Sequence, residues 1–409
     1  MAITIQIKRD TASNWTSNAP TLAAGEFGFE TDTGKFKVGD GSTAWASLNY
    51  FEFAVSPPPP YNVIGEDCGY AAGGWLGPDA HNTINKYSFT SDGNATDVGD
   101  LTICDAPYSQ GASSSTHGYQ FGGRCLGNNI DKIAFASDAN ATDVGVDTPS
   151  NPLVDNPSGL RIRNAIGNDG SAAYRVFCQI TYPALPPSGS PATPTRTPGT
   201  GPNQYEQPVD KFTFSSESFA ATTLVHMYKS PYNYAHMTAV SSPDHMYITS
   251  YGYCKPDYWK IPFAGADTFS SCVGDIVTPH LTPTAGPAGA HNGAYQSTTY
   301  GYFASNASEL APGSNNNLIL KFPFSSDADT ALVGCLTCDS TYNLRRGNSG
   351  TSSATGHGYS HGGFGFNPSF SASALNIIDK FPFASDANAT DVGDLTTVYG
   401  NASSSNIQQ

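Results

Sequence analysis

Ile3, Ile5 and Ile7 alternate with Thr4, Gln6 and Lys8, the period-two pattern of a strand with one buried face. Turn residues follow at once. Ala24-Gly25, Asp32-Thr33-Gly34 and Gly39-Asp40-Gly41 bracket two further short strands, predicted at 27–31 and 35–38. No long stretch places apolar residues at i, i+3, i+4 and i+7, so helices are expected to be few and short. A module of about fifty residues built this way is too small to enclose an adequate core. Symmetric association with further copies is the economical remedy. Residues 54–60, Ala-Val-Ser followed by four prolines, predict a stiff connector between this module (1–53) and the remainder (61–409).

Beyond the connector the alternation recurs as an array. Ile84-Asn85-Lys86-Tyr87-Ser88-Phe89 runs into an Asp-Gly-Asn-Ala-Thr-Asp-Val-Gly-Asp-Leu stretch. Near-identical copies begin at Ile130 and Ile378, and degenerate ones at Val209, Tyr258 and Ile319. Each copy carries a lysine: Lys86, Lys132, Lys211, Lys260, Lys321 and Lys380. Each lysine is preceded by a tyrosine: Tyr70, Tyr119, Tyr174, Tyr247, Tyr302 and Tyr359. Two independent markers therefore agree on six units, and each unit reads as a four-stranded antiparallel blade with hairpin chemistry in its acidic turn. The predicted fold is all-β, a small N-terminal β-strand trimerisation module followed by a six-bladed β-propeller. The sixth unit is short of a strand and the first lacks a predecessor. The run Gly400-Asn401-Ala402-Ser403-Ser404-Ser405 resembles Gly111-Ala112-Ser113-Ser114-Ser115-Thr116, so the chain's last segment is expected to complete the blade of Tyr70 and close the ring.

Composition narrows the chemistry. Gly (42) and Pro (29) are abundant while charged residues reach only 13%, a balance that suits strands and turns. The net charge of −15 opposes a phosphate backbone, so nucleic-acid binding is not expected. Neither a signal peptide nor a membrane span is legible. The cysteines, Cys68, Cys104, Cys125, Cys178, Cys254, Cys272, Cys335 and Cys338, offer one CxxC spacing without a second pair. They read as buried free thiols rather than a zinc site. His117, His245 and His357 stand two residues before a repeat tyrosine, but sixfold placement spreads them apart, which favours packing over metal binding. The acidic turns at 92–97, 138–143 and 386–391 have the oxygen-rich look of calcium loops. They lack the distal Glu and central Gly of an EF-hand, and Asx-type turn stabilisation is the simpler reading.

Two resemblances add to this reading. Gln6 to Arg9, Trp15, Leu22-Ala23-Ala24-Gly25-Glu26, Glu30-Thr31-Asp32-Thr33-Gly34-Lys35, Val38-Gly39-Asp40-Gly41 and Trp45 together resemble the N-terminal module of phage tail fibres and major-tropism-determinant proteins. The resemblance implies an intertwined homotrimer at the virion-proximal end of a fibre, docked to other phage tail proteins. The Gly-Gly strand after Tyr119, the hydrophobic strand and the Val-Gly turn are similar in layout to kelch repeats, without their usual Trp. The repeats also look like those of phage fibre and appendage proteins.

The expected role is a phage tail fibre component that attaches the virion to a host surface glycan or protein receptor. A purely structural appendage and a glycan depolymerase are the alternatives. No GxSxG, HExxH or phosphate loop is present, so the chain is expected not to be an enzyme, with no catalytic residue, metal or cofactor. Acidic pairs brought together across a propeller are, however, invisible in sequence. Receptor contact is expected on four long insertions, 146–168, 178–208, 277–296 and 339–355, which blade topology sends to one face. They carry Arg161, Arg163, Arg196, Tyr205, Tyr295, Tyr342, Arg345 and Arg346. Arg forks suit carboxylate or phosphate groups, and Tyr faces suit sugar rings.

Overall fold

The computed structural model describes residues 7–50, 64–76, 79–105, 110–121, 129–146, 164–177, 204–219, 223–228, 238–249, 257–263, 271–275, 291–306, 317–337, 344–346, 350–366, 372–399 and 407–409. The chain divides into two compact units, Met1–Pro60 and Tyr61–Gln409.

In the first unit β1 (Lys8–Asp10) pairs in parallel with β2 (Phe27–Glu30), which pairs antiparallel with β3 (Phe36–Val38). One helix that the periodicity did not announce, α1 (Ala12–Asn18), is capped by the Thr11 side chain and ends on Ala19 in a left-handed conformation. Its purpose is Trp15, whose ring stacks on Trp45 at 4.1 Å and whose indole N–H donates to the Phe29 carbonyl at 3.0 Å. Leu22 completes this small core. Gly28 is obligatory beneath it, since a side chain there would run into the Trp45 ring. The other face of the sheet carries Phe27, 46% exposed, with half-buried Phe29, Phe36 and Val38. The core is thus one-sided, in keeping with a module too small to bury both faces.

The second unit consists of six antiparallel sheets, each made of consecutive strands. Blade 1 holds β4 (Cys68–Leu76), β5 (Asp79–Ser88) and β6 (Thr96–Asp105). Blade 2 holds β7 (Gln110–Ser113), β8 (His117–Phe121), β9 (Asn129–Ala134) and β10 (Thr142–Val146). Blade 3 comprises β11 (Asn164–Asn168), β12 (Ala172–Phe177), β13 (Gln204–Thr213) and an outer strand in two pieces, β14 (Ser218–Phe219) and β15 (Thr223–Tyr228). Blade 4 is β16 (Ala239–Ser241), β17 (His245–Thr249), β18 (Asp257–Pro262) and β19 (Ser271–Asp275). Blade 5 is β20 (His291–Gln296), β21 (Tyr300–Asn306), β22 (Leu318–Pro323) and β23 (Ala331–Cys335). Blade 6 contains β25 (Gly350–Ser353), β26 (His357–His361), β28 (Ala372–Pro382) and β29 (Thr390–Tyr399), extended by β24 (Leu344–Arg346) and β27 (Phe364–Phe366). The chain is therefore all-β with six blades, as the paired Tyr and Lys markers predict.

Closure is by the final residues. Gln408 bridges Gly69, Tyr70 N–H donates to the Ile407 carbonyl at 3.0 Å, and Gln409 N–H donates to Cys68 at 2.8 Å. The register differs from the one the serine run suggested. Gln408 opposite Gly69 occupies the place of Ser113 opposite Gly118, so 407–409 form the innermost strand of blade 1, and the serine run lies outside the described residues. Ile407 explains the choice, because its fully buried side chain fills the wedge between Tyr70, Ile133 and Phe135, which a serine cannot do.

Six apolar clusters lie between neighbouring blades, one per seam. Around the axis the innermost strands are small and polar, and their side chains cap each other's backbones. Gln408 N–H donates to Ser113, Ile166 to Gln110, Asn168 to Ser241, Ser241 to Gln296, Gln296 to Ser353 and Ser353 to Gln408, at 2.9–3.4 Å. These contacts form a closed circuit of buried hydrogen bonds through all six blades.

Candidate functional site

Antiparallel blades sort their connections onto two faces. The connections from first to second and from third to fourth strand share one face, here called the clasp face, and the others emerge opposite. On the clasp face the repeat signature has a structural task at three of the six seams. Lys86 of blade 1 pairs with Asp138 of blade 2 at 2.9 Å, Lys321 of blade 5 with Asp386 of blade 6 at 3.0 Å, and Lys380 of blade 6 with Asp92 of blade 1 at 2.9 Å. Asn140, Asn388 and Asn94 in those turns accept the backbone N–H of Asp100, Cys335 and Asp394 on the preceding blade, at 3.0–3.1 Å. Ala141, Ala389 and Ala95 donate back to the same three residues' carbonyls, each at 2.8 Å.

Asp97, Asp143 and Asp391 are engaged within their own strands, accepting from Gly99, Gly145 and Gly393 at 3.0–3.2 Å. The oxygen-rich turns are thus Asx turns and seam clasps. Deeper in all three of these seams, Thr102 donates to Asp131, Thr337 to Asp379 and Thr396 to Asn85, while burial raises the Asp131 carboxyl above its ordinary range. Among the described residues no three of His, Cys, Asp and Glu are grouped so as to hold a metal ion.

The three repeat histidines open β8, β17 and β26, one per blade. The His117 ring is 2.8 Å from the Thr116 hydroxyl and the His245 ring 2.8 Å from Asp244. Burial, with Lys132 and Lys380 close by, holds His117 and His357 below the ordinary histidine value. Cys68 and Cys335 are free thiols, raised by burial.

The chain enters the propeller on the clasp face, where Gly65 N–H donates to Ser353 at 2.8 Å and its carbonyl accepts from Thr355. The long connections leave from the opposite face. Their ends are strands, so they are shorter than the sequence suggested: 147–163, 178–203, 276–290 and the stretch between β23 and β25. Arg161, Arg163, Arg196 and Tyr342 lie outside the described residues. Arg345 and Arg346 are on β24 rather than a loop, paired in register with Gly365 and Phe364. Tyr205 is on β13, opposite Met227.

Tyr295 must be withdrawn as a contact residue. It sits on the innermost strand of blade 5, fully buried, with its ring edge-on to Phe381 at 4.9 Å. His-Asn-Gly-Ala-Tyr-Gln reads as loop because its residues are small and polar, which is what crowding at a propeller axis requires. The clasps were also missed as such. Their signal was the constancy of Lys, Asp and Asn across the repeats, which a turn alone does not demand.

Residues 5–43 match the major tropism determinant N-terminal domain family. Over 46 residues the chain is 46% identical to the hyaluronoglucosaminidase of Streptococcus pyogenes phage H4489A, an alignment that covers 11% of this chain and 12% of that protein. The chain therefore spans only about an eighth of the length of that relative. Among solved structures, that of YjhT aligns at a TM-score of 0.45 and 11% identity over 71% of this chain and 85% of its own. The β-propeller domain of the Trilobed protease from Pyrococcus furiosus aligns at 0.34 and 7% identity over 77% and 83%.

The N-terminal module is thus similar to that of major tropism determinants, and the larger unit is a propeller. The phage relative corrects one expectation. It is similar to this chain over 46 residues and is named as an enzyme, so the reading of a protein without catalytic activity does not stand. The inference failed because missing local motifs say nothing about carboxylates assembled from distant blades.

Proposed function

We propose that this protein is a virion tail-fibre component that recognises the host cell surface through the propeller face opposite the chain entry. One observation carries the reading: the strand ends that flank 147–163, 178–203 and 276–290, together with β24, open on the same face, away from the clasps. Long connections on a rigid scaffold are where binding residues concentrate. The arginines on them, Arg161, Arg163, Arg196, Arg345 and Arg346, suit the carboxylate or phosphate groups of a surface glycan. Replacing 183–203 by a short Gly-Ser link, and separately changing Arg345 and Arg346 to Ala, should weaken attachment of the purified protein to host cells and leave its melting temperature unchanged. Undiminished attachment by both variants would refute the assignment.

The first unit supplies virion docking and homotrimerisation in this reading, with Phe27 and the half-buried Phe29, Phe36 and Val38 as the apolar surface covered by neighbouring copies. Light scattering on the full chain and on Phe27→Glu tests it, a trimer and a smaller species being expected. A second reading, glycan depolymerase, is favoured by the similarity over 46 residues to a phage hyaluronoglucosaminidase. Incubation with host-surface glycan separates it from binding alone, because only the enzyme shortens the chains.

A further inference from the structure

We infer that the seam between blades 2 and 3 is softer than the three fully clasped seams, and that the propeller parts there before it parts at the seam where its first and last blades meet. The closure seam is the obvious weak point, yet it is fully clasped. Lys380 reaches Asp92, Asp394 N–H reaches Asn94, Ala95 reaches back to Asp394, and Thr396 donates to Asn85. The seams joining blade 1 to 2 and blade 5 to 6 carry the same set.

Blade 3 departs from the pattern at the matching place. Its third and fourth strands are joined by a tight hairpin, with Phe212 opposite Phe219 and Thr213 opposite Ser218, so no Asp-x-Asn-Ala-Thr turn projects toward blade 2. Lys132 still finds a carboxylate, but from Glu217, whose backbone is held in the left-handed region at φ 47°.

The glycines of the outer strands record the consequence. A side-chain carbon at Gly99, Gly334 or Gly393 would collide with the backbone of the next blade's turn, whereas one at Gly145 of blade 2 has nothing within 4 Å. The apolar lock changes as well. Leu101, Leu336 and Leu395 are buried in the three clasped seams, while the corresponding residue after Val146 is Asp147. A charged pair, Arg175 and Asp210, each 1% exposed, is buried on the blade 2 side of blade 3, where burial lowers the Arg175 pKa to about 10. Buried ion pairs hold an interface less well than apolar residues of the same volume.

Among the described residues this seam keeps its apolar wedge, the axial bond from Ile166 to Gln110 and the contacts of Lys132 and Tyr119 with Glu217 near the rim. Opening is therefore a hinge about the inner edge, with the rim parting between β10 and blade 3. Residues 147–163 run from β10 of blade 2 to β11 of blade 3, so the hinge changes the spacing of their ends, whereas both ends of 178–203 lie on blade 3.

Hydrogen exchange of the full chain under native conditions tests the inference, because β6, β10 and β29 hold the same position in their blades. Amides of β10 (Thr142–Val146) are expected to exchange at least about tenfold faster than those of β6 and β29. Equal protection of the three strands, or fastest exchange in β29, would overturn it.

Discussion

Lys380 of the last blade holds Asp92 of the first at 2.9 Å, the same distance at which Lys86 of blade 1 holds Asp138 of blade 2. The ring closes with the joint used between consecutive repeats. The two halves of the clasp nevertheless differ in energetic weight. Asp92 has a side chain 56% exposed, and solvent-screened pairs contribute little. Lys380→Ala should cost no more than about 1 kcal/mol in urea unfolding. Asn85 is fully buried and accepts from both the N–H and the hydroxyl of Thr396. Asn85→Ala should cost about 1–3 kcal/mol, since buried donors lose their acceptor. A larger loss for Lys380→Ala than for Asn85→Ala would reverse this ranking.

Gly99 and Gly145 form a matched pair, with φ values of 151° and 150°. Alanine meets the same backbone strain at both, but at Gly99 it also strikes the Ala139 carbonyl carbon, 2.6 Å away. Gly99→Ala should therefore lower the melting temperature by several degrees more than Gly145→Ala. Equal melting temperatures would show that the turn does not press on the outer strand.

Ile407 predicts the weight of the closing strand. Its side chain is fully buried in the wedge with Tyr70 and Phe135, so Ile407→Ala should destabilise the propeller by about 2–4 kcal/mol in denaturant unfolding. Removal of 407–409 also deletes the axial acceptor and donor groups of Gln408. It should expose the Tyr70 edge and lower the melting temperature by well over that of the point variant. A truncated chain as stable as the parent would mean that the ring does not depend on this strand.

His117 and His357 give a pH dependence with a definite sign. Both are held below the ordinary histidine value, chiefly by burial and then by Lys132 or Lys380. The unfolded chain therefore takes up protons first, and stability falls as pH drops below about 6.5, levelling off beneath the folded values. Melting at pH 7.5 and 5.5 measures the loss, and the double variant His117→Gln, His357→Gln should reduce it. If the double variant keeps the full slope, other groups govern the acid side.

Asp40 acts in the same direction at lower pH, in the first unit. Hydrogen bonds from Thr43, side chain and backbone, and from Ser42 hold its carboxyl far below the usual range. Its contribution is complete above about pH 4 and fades as pH falls lower. Asp40→Asn should flatten that acid limb in a melt of the N-terminal unit's tryptophan signal, and an unchanged limb would point to other carboxylates.

Much of this architecture was written into the sequence. Six lysines and six tyrosines mark the blade number because the same strand pair, with Tyr opposite Lys, recurs in every blade. The alternation in segments such as Ile378-Asp379-Lys380-Phe381 fixes strand and facing. Tyr359, Phe381 and Phe383 enter the apolar wedges while Lys380 turns to its clasp. The insertions between strands were visible as breaks in the period.

What local reading could not supply was partner identity. Innermost strands such as Gly350–Ser353 look like loops because their side chains serve the backbone of another blade, a partner more than fifty residues away, as with Gln296 and Ser353. Tyr295 looked available for contact for the same reason, and its burial against Phe381 exists only once blades 5 and 6 meet. The six-residue difference in closure register was likewise decided by volume, since only Ile407 fills the gap beside Tyr70. Sequence determined the units and their number, because those are set by local alternation and repetition. Tertiary structure alone decided which surfaces face each other, because seams are made by residues that never share a strand.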